Sequence, residues 1–587
     1  MRALQEAGSP KLWLPGLAVV AVIVILPVIT VVSLSFLATQ DGTIIFKPEA
    51  YTRIARAPEL ESLWRILRRG LVVASVSQSI ALPVGFFLVT RRSAALRIFM
   101  IGMMLAPFFC SDAIRAYAWS RILSADGLLF RFLSSLPGFS NIDSLRFSEL
   151  AVGVALCSAF LPFGVIAVVA SLPAGDEDLW LASRDLGVSR FWEFWHMALP
   201  AAAPGLAVGW IFQLILASFS SVEEQYLGNS TSMQKIASGM INADVGANSL
   251  AFFALSSLIL LGLTVNLMAV GWLVVTRGAI TASIAKAVEL MGMVAVDART
   301  RLRRIIVPGI RPERSNLGKS LRRIFRLPGV FVFTCSILVV ATYALVLAPI
   351  LGAIVLAFRD GIGLAWTLQN FREAFGKGSL FPVLNRSLLL ACSVGFVCMV
   401  LSVLLATILW RRFAWRAIIL FLVVIGALLP AETYALGVLR VIRAIGIDSG
   451  GIWLAALGHI AWALPFSLGA VILAYQKLDT VLLEAAWEFG DGAWNILGRV
   501  ILRSTLPSVL GSALFGFLLS LNEYSRGLYL GGGTEFLSTR VFGRMQSGLV
   551  GNGRQIFAMA GSLVAFSFLL CLLGVLETAL ARKQLNE

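Results

Sequence analysis

Long runs of apolar residues alternate with short polar or basic connections along almost the whole chain. A helix of about 20 residues rises 1.5 Å per residue and so crosses a hydrocarbon core of about 30 Å. The pattern therefore predicts an all-α polytopic membrane protein with about six spans in each half. The predicted spans are 13–38, 70–90, 97–122, 150–172, 203–224 and 250–276, followed by 328–357, 385–409, 416–440, 452–475, 508–530 and 556–580.

Landmarks in the first half recur in the second at a constant offset of 303 residues. The recurring positions are Leu161-Pro162-Phe163 with Leu464-Pro465-Phe466, Gly187 with Gly490, Pro204 with Pro507, and Leu227-Gly228 with Leu530-Gly531. Because they include Gly and Pro, chance matching of apolar residues explains them poorly. We predict a duplicated domain: a first transmembrane domain over 1–276, a linker over 277–326 and a second transmembrane domain over 327–587.

Basic residues are concentrated in the predicted linker. They include Arg299, Arg301, Arg303, Arg304, Arg322, Arg323 and Arg326. Positive charge collects in cytoplasmic loops of membrane proteins, so the linker and the N-terminus are predicted to be cytoplasmic, with the linker lying on membrane lipid. An even number of spans then gives a parallel pseudo-two-fold repeat. The net charge of +16 is thus explained without nucleic acid. Arg65, Arg68 and Arg69, predicted at the outer end of the second span, break the charge rule.

Cysteine and histidine give no sign of metal or disulfide chemistry in the sequence. All the cysteines fall inside apolar runs, at Cys110, Cys157, Cys335, Cys392, Cys398 and Cys571. Their spacing matches neither a metal site nor a disulfide in an aqueous loop, so core packing is predicted. His196 and His459 are isolated from each other, and no metal site is predicted.

A loop of unusual composition lies between the fourth and fifth predicted spans of each half. The first loop contains Leu181, Ala182, Ser183, Asp185 and Gly187, followed by Pro200 and Pro204; the second contains Glu484, Ala485, Ala486, Glu488 and Gly490, followed by Pro507. Each loop predicts a short helix that ends at Gly. Its small residues allow close approach to a partner, and its acidic residue before the Gly is available to pair with a basic group.

These loops resemble the EAA motif of ABC importer permeases, in which Glu-Ala-Ala precedes a Gly and a later Leu-Pro. Glu484-Ala485-Ala486 with Gly490 matches closely, whereas the first loop has Leu181-Ala182-Ser183 and keeps Gly187 and Pro200. In the second loop Arg503 stands where Pro200 stands in the first. The resemblance implies two fused MetI-like permease domains in a bacterial inner membrane. It also implies that both loops dock on an ABC ATP-binding subunit, expected as a homodimer.

The chain shows no ATP site of its own in its sequence. Gly318-Lys319-Ser320 looks like the end of a phosphate-binding loop, but Glu313 stands where that motif needs a Gly. We therefore predict a transport subunit with no catalytic residues and no bound cofactor, with ATP and Mg held by the partner. The family resemblance further implies that a periplasmic or extracellular solute-binding protein delivers the substrate.

Both halves also resemble permeases of the spermidine/putrescine type. The stretch from Ile114 to Trp119 resembles their third span, and Ser520 to Tyr524 followed by Leu530-Gly531 resembles the fifth span of the partner subunit. A polyamine-like cation is the substrate that this resemblance favours. Related permeases for ferric iron, thiamine or aminoethylphosphonate share much of the pattern and remain alternatives.

Charged residues inside membrane spans are costly and so are candidates for function. The predicted pathway residues are Asp112, Arg115, Tyr117, Trp119, Glu223, Glu224, Glu432, Asn522, Glu523 and Tyr524. We expect their carboxylates in the outer half of the pathway, where they would suit a cation with several amines. The alternative is internal pairing, since Arg115 follows Asp112 by three residues and Arg526 follows Glu523 by three.

A secondary active transporter with a parallel repeat is the alternative from another functional class. It accounts for the spans equally well, but it does not account for the paired loops. An integral-membrane enzyme is disfavoured because the loops contain no catalytic constellation.

Overall fold

The structure is a computed structural model. It describes residues 21–40, 43–46, 58–91, 93–124, 145–172, 189–228, 328–359, 365–376, 380–410, 416–447, 450–476, 480–492 and 495–546, with a few isolated positions elsewhere. The predicted linker 277–326 lies outside these residues. So do the predicted sixth spans, 250–276 and 556–580, apart from isolated positions. The predicted domain boundaries therefore stay predictions.

The described part of the first half is helical except for one short hairpin and the connecting turns. Its elements are a π turn at Ala21–Ile25, α1 (Leu26–Phe36), β1 (Leu37–Gln40), β2 (Thr43–Phe46), α2 (Pro58–Val89), α3 (Ala94–Leu105), a 3-10 turn at Ala106–Phe109, α4 (Asp112–Ile122), α5 (Glu149–Ser171), α6 (Arg190–Glu193), a π turn at Phe194–Ala198, α7 (Leu199–Phe219) and α8 (Ser221–Leu227). Strands β1 and β2 pair antiparallel after the first span, which is a small departure from the all-α prediction.

The second half repeats this order. Its elements are α9 (Pro328–Ala357), α10 (Gln369–Gly376), α11 (Leu380–Trp410), α12 (Arg416–Leu428), α13 (Ala431–Ala444), α14 (Ile452–Tyr475), α15 (Thr480–Glu488), a π turn at Ile496–Ile501, α16 (Leu502–Asn522), α17 (Ser525–Leu530) and α18 (Leu537–Gln546). Among the described residues, seven helices are long and apolar enough to cross a membrane, and two bent helix pairs bring this to as many as nine.

Each half is built on three helices in mutual contact, α2 with α5 and α7, and α11 with α14 and α16. Small residues bring these backbones close, as expected where lipid offers no hydrophobic drive for helix association. A Cβ on Gly209 would lie 2.2 Å from Gln78 Nε2, and one on Gly395 would lie 2.6 Å from the Ala513 carbonyl oxygen. These glycines therefore fix the spacing of the bundle.

The offset between equivalent helices is not constant along the whole chain. It is 303 residues between the starts of α5 and α14, as the sequence landmarks predict, but 319 between the starts of α4 and α13. The difference arises in the connection after the third span. That connection is longer in the first half, between Ile122 and Glu149, than in the second, between Ala444 and Ile452.

The third predicted span of each half, 97–122 and 416–440, is broken instead of continuous. The bend is 95° between the segments Phe99–Phe108 and Asp112–Ile122, and 109° between Leu422–Leu428 and Ala431–Arg443. A proline lies close to each break, Pro107 in the first half and Pro430 in the second. Proline has no N–H to donate and disrupts the preceding helical turn.

The fifth spans end earlier than the predictions 203–224 and 508–530. Their helical segments run over Arg190–Phe219 and Ile496–Asn522. The chain then breaks, and α8 and α17 begin as separate short helices. The two predicted acids at the end of the first of these spans therefore lie on α8. Each fifth span also begins with a π turn at an equivalent position.

The first spans are exchanged between the halves. Helix α9, which opens the second half, packs against α2, α4 and α5 of the first half. There the Tyr343 hydroxyl donates a hydrogen bond to the Met100 carbonyl at 2.8 Å. Helix α1 in turn packs against α13 of the second half. Each half therefore needs the other to bury its first span.

The arginines that broke the charge rule in the sequence lie within α2, which starts at Pro58, well before the predicted span. Arg65 forms an ion pair with Glu61 at 3.2 Å. Arg69 is buried, with Nη2 3.6 Å from Glu224 and Nη1 3.9 Å from Glu149. Its charge is thus matched inside the bundle by two acids from distant parts of the sequence.

The close contact of α1 with α13 provides a test of the exchanged first span. A Cβ on Gly437 would lie 2.3 Å from the Pro27 carbonyl oxygen, so Gly437→Ala must push the helices apart. We expect a destabilisation of about 1–3 kcal/mol, measured as a lower midpoint of thermal unfolding in detergent. The control is Gly469→Ala, since no atom lies within 4 Å of its added methyl group. Equal midpoints for both variants would contradict the contact.

Candidate functional site

A cavity lies between the two halves, where both broken third spans meet the ends of both fifth spans. Its volume is about 120 Å³. Four of its polar residues are among those predicted from the sequence: Asp112, Glu432, Asn522 and Glu523. Arg115, also predicted, and Arg526 line it as well. The cavity is thus polar, is built from both halves and lies among membrane-spanning helices.

Arg115 braces the break in the third span of the first half. Its Nη1 donates hydrogen bonds to the carbonyl oxygens of Pro107 and Cys110, both at 3.0 Å. Its Nη2 lies 2.5 Å from Asp112 and 3.8 Å from Glu223. Carbonyl oxygens freed where a helix breaks are costly in a membrane unless they find a donor. The buried guanidinium supplies that donor, and the two carboxylates balance its charge.

Arg526 does the same for the break in the second half. Its Nη2 donates to the Leu429 carbonyl oxygen at 3.1 Å, and Nη1 lies 3.5 Å from Glu523. Glu523 also accepts a hydrogen bond from the Arg526 backbone N–H at 3.0 Å, at the start of α17. The guanidinium lies 5.2 Å from the ring centre of Trp462. Both breaks therefore have a buried arginine paired with acid.

The two braces are built from non-equivalent positions. Arg526 corresponds to Glu223 at the 303-residue offset, so the charge at that position is reversed between the halves. Arg115 corresponds to Tyr434 at the 319-residue offset, and the Tyr434 ring centre lies 5.9 Å from the Arg526 guanidinium. The first half therefore places Arg115 of its third span beside its break, and the second half places Arg526 of α17 beside its own break.

The remaining polar groups of the cavity are mainly acceptors. The Asp112 side chain is 54% exposed, although it is paired with Arg115. Glu432 is buried and interacts with the Tyr529 side chain. Asn522 donates to the Leu518 carbonyl at 2.9 Å, and its Oδ1 has no hydrogen-bond partner among the described residues. The cavity is thus suited to a ligand that donates hydrogen bonds.

Aromatic rings pack across the interface at one end of the cavity. The ring centres of Phe163 and Phe466, the last residues of the duplicated Leu-Pro-Phe landmark, are 5.7 Å apart. Phe212 lies 5.1 Å from the first and 5.9 Å from the second. Phe163 on α5 lies nearer to the loop after the fourth span than the other cavity-lining residues of that helix do, and Phe212 on α7 lies nearer to it than the cavity-lining residues of α7 do. This side of the bundle is called the loop side below.

Several predicted pathway residues lie outside the cavity. Trp119 donates from its indole N–H to the Ser158 hydroxyl at 2.7 Å. The Tyr117 ring packs edge-on against Tyr226 at 5.9 Å, and Tyr524 stacks on Phe542 at 3.8 Å. Glu223 does not line the cavity but contacts two residues that do, Arg115 at 3.8 Å and the Ser220 hydroxyl, and Glu224 pairs with Arg69. The structure thus brings together only part of the predicted set.

Other cavity residues are absent from the predicted set. Trp462 and Phe163 line the cavity from the two fourth spans, and Cys110 lines it at the first break. The duplicated Leu-Pro-Phe motif is the sequence signal that could have identified Phe163. From the sequence, Arg526 is expected only as a possible partner of Glu523. Nothing in the apolar run around Trp462 distinguishes it from a core residue.

The second of the predicted loops forms α15, and its helix ends at glycine as predicted. Gly490 has a φ of +83°, a left-handed conformation that side chains other than glycine rarely adopt. The Asp491 N–H donates to the Ala486 carbonyl at 3.2 Å, which satisfies one of the last carbonyl groups of the helix. Glu484, Ala485 and Glu488 lie on α15, while Pro507 lies within α16.

The surface of α15 and of the residue after it carries exposed apolar side chains beside the exposed acids Glu484 and Glu488. Phe489 is 89% exposed, and Val481 and Leu482 are exposed on the short helix itself. In the first loop, the predicted residues Leu181, Ala182, Ser183, Asp185 and Gly187 lie outside the described residues. Pro200 is near the start of α7. Exposed apolar groups at a loop between spans are typical of a contact surface.

Comparison with known proteins identifies relatives of this chain. Residues 70–273 match the family model described as "Binding-protein-dependent transport system inner membrane component". The spermidine/putrescine transport system permease protein PotB of Escherichia coli K12 is 27% identical over 195 residues, which are 33% of this chain and 70% of the relative. PotC of Haemophilus influenzae is 26% identical over 242 residues, which are 40% of this chain and 93% of the relative.

The brace at the second break is tested by removing its arginine. Arg526→Met leaves the Leu429 carbonyl without its donor and the Glu523 carboxylate without its counter-charge, and we expect a loss of stability of about 3–5 kcal/mol. The double variant Arg526→Met/Glu523→Gln should lose less stability than Arg526→Met, because no unpaired charge stays buried in it. The measurement is thermal unfolding in detergent. Arg443→Met, at an exposed arginine near the end of α13, is the control; equal losses in Arg526→Met and the control would refute the brace.

Proposed function

We propose that this chain, an ABC importer permease that resembles the spermidine/putrescine permeases, imports a polyamine-like cation through the cavity between its halves. The observation that carries the proposal is the convergence of Asp112, Glu432 and Glu523 from both halves on one cavity. Three carboxylates there face two guanidinium groups, so the lining has a formal charge of −1 when all three acids are ionised. A substrate with protonated amines would restore the balance.

The hydrogen-bonding state of the arginines favours a cation over an anion. The Nη groups of Arg115 and Arg526 are directed to carbonyl oxygens and to carboxylates, although the Nε of each has no hydrogen-bond partner among the described residues. Groups engaged in this way are poor anchors for a phosphonate. The acceptor Asn522 Oδ1 and the partly exposed Asp112 carboxylate are better placed to receive N–H groups. Ferric iron, thiamine and aminoethylphosphonate are alternative substrates that the uptake experiment below separates from a polyamine.

The size of the cavity supports transport by alternating access. At about 120 Å³ it is well below the roughly 300–1,000 Å³ of ordinary ligand pockets. The packed rings of Phe163, Phe212 and Phe466 lie at its loop side. In the proposed cycle, the halves separate on the far side to admit the cation. They then part at the aromatic rings to release it on the loop side.

The partners follow from the same assignment. An ATP-binding subunit, expected as a homodimer that carries ATP and Mg, would dock on the two loops, and a solute-binding protein would deliver the cation from the far side. The exposed residues Val481, Leu482 and Phe489 support docking at α15. We place the loop side and the N-terminus in the cytoplasm, because the basic linker is expected there.

Uptake by reconstituted complexes tests the substrate class. Neutralising a cavity acid, as in Asp112→Asn, Glu432→Gln or Glu523→Gln, should slow polyamine uptake about tenfold, since each change removes a charged acceptor. Glu535→Gln is the control, because this exposed acid pairs with Arg540 at 3.5 Å outside the cavity. The measurement is uptake into proteoliposomes at saturating solute-binding protein. Unchanged uptake in all three cavity variants would refute the cation and leave the alternative substrates.

Substrate-stimulated ATPase activity tests docking at the loops. Gly490→Asp forces a side chain into a left-handed conformation at the end of α15, and Glu488→Arg reverses its charge; we expect at least a fivefold loss of stimulated activity, on the order of 1 kcal/mol. The matching changes in the first loop, Gly187→Asp and Asp185→Arg, should reduce substrate-stimulated ATPase activity less than the changes in the second loop. Gly492→Asp is the matched control, since its φ is not left-handed and no atom crowds it. Wild-type activity in all four loop variants would remove the docking assignment.

A further inference from the structure

The start of the fifth span in the second half carries two exposed arginines. Arg499 lies in the π turn before α16, and Arg503 lies one turn later. Neither forms an ion pair with a residue that the structure describes. Arg503 also occupies the position where the loop motif has proline, a departure that docking on an ATP-binding subunit leaves unexplained.

An open crevice is lined by Val500 and Ser504, the residues that follow these arginines in the sequence, while the arginines themselves lie outside its lining. It has a volume of about 540 Å³ and is bounded by the end of α14, by α15 and by the start of α16. One wall is apolar, with Leu473, Leu478 and Leu482, and the other carries the hydroxyl groups of Ser504 and Ser508. Leu473 and Leu482 are exposed, so the crevice opens to the surroundings of the helices.

The first half lacks this combination of groups. At the 303-residue offset, Arg499 corresponds to His196 and Arg503 to Pro200, while Ser504 and Ser508 correspond to Ala201 and Gly205. The charged and hydroxyl groups are therefore a property of one half and not a requirement of the duplicated fold. Docking of a homodimeric ATP-binding subunit is a role common to both halves. Such a role would not require these charged and hydroxyl groups in the second half alone.

The crevice lies at the level of the membrane boundary along the helix axis. Arg503 is about 28 Å from Asn522 along α16, at 1.5 Å per residue. Asn522 ends the fifth span on the far side, and the hydrocarbon core is about 30 Å thick, so the arginines lie close to the membrane boundary on the loop side. Basic side chains at that level attract anionic headgroups, and apolar grooves beside them accept acyl chains.

We propose that this crevice binds one anionic phospholipid of the cytoplasmic leaflet. Arg499 and Arg503 hold its phosphate, the hydroxyl groups of Ser504 and Ser508 bind polar atoms of its headgroup or glycerol, and an acyl chain lies against Leu473 and Leu482. The assignment to the cytoplasmic leaflet depends on the proposed function, which places the loop side in the cytoplasm. The lipid itself would contact α15 directly and so would adjoin the surface proposed for ATPase docking.

Native mass spectrometry of the intact complex, with its ATP-binding subunit bound, tests this site. The probe is an equal mixture of phosphatidylglycerol and phosphatidylethanolamine, and the readout is their ratio on the purified complex. We expect the double variant Arg499→Gln/Arg503→Gln to lower the ratio about tenfold, since each arginine near the surface contributes to anionic lipid binding. Ser504→Phe, which fills the crevice and keeps both charges, should lower it similarly.

Arg443→Gln, at the opposite end of the membrane, is the control and should keep the wild-type ratio. A wild-type ratio in the double arginine variant overturns the proposal. A lower lipid ratio in the arginine variant alone, with a wild-type ratio in Ser504→Phe, also overturns the proposal. It would indicate electrostatic attraction of the headgroup at the surface without an acyl chain bound in the crevice. If lipid binds only after the ATP-binding subunit is removed, the subunit occupies the crevice in the intact complex. That result would also overturn the lipid proposal. Because the readout is retained lipid, failure here leaves the transport proposal untouched.

Discussion

The need to satisfy backbone carbonyl groups at two broken helices governs the centre of this protein. A membrane offers no water to replace the hydrogen bonds lost at a break. Arg115 and Arg526 replace them, with contacts of 3.0–3.1 Å to carbonyl oxygens at the two breaks. A buried guanidinium in turn requires a carboxylate partner, because an unpaired charge in that environment is very costly. The cluster of acids around the cavity follows in part from this structural demand, and the same cluster supplies the proposed chemistry of the pathway.

The sequence predicts some of this arrangement well, for identifiable reasons. Apolar runs predict membrane-spanning helices because length and composition decide crossing, and Gly490 ends its helix because few other residues adopt its conformation. Pairing of Asp112 with Arg115 could be anticipated from their spacing of three. The breaks could not, although Pro107 and Pro430 lie beside them, because proline also lies inside continuous helices of this chain, at Pro162 and Pro465. The partners of Arg69 could not either, because Glu149 and Glu224 come from distant segments that only the folded bundle brings close.

Duplication preserved the backbone more strictly than the side chains. The π turns and the ends of the fifth spans fall at equivalent positions, and both third spans break. The groups that serve these features differ, since Arg526 occupies the position of Glu223 and Tyr434 that of Arg115. In the bundle interiors, Gly164 and Gly209 beside Gln78 correspond to Ser467 and Ser512. What recurs is therefore the physical requirement, a donor at each break and close contact between helices, and not the residue that meets it.

This distribution of charges bears on how the halves can move. Among the described residues, the hydrogen bonds and ion pairs of Arg115 join it to groups of the first half, and those of Arg526 join it to groups of the second. The rings that pack across the interface, Phe163 and Phe212 against Phe466, carry no charge. Separation of the halves would therefore expose apolar rings without pulling a buried ion pair apart. Exchange of the first spans adds a constraint, because α1 and α9 must each move with the half on which they pack. A cycle of rigid halves, each keeping its own brace, is the motion that these contacts oppose least.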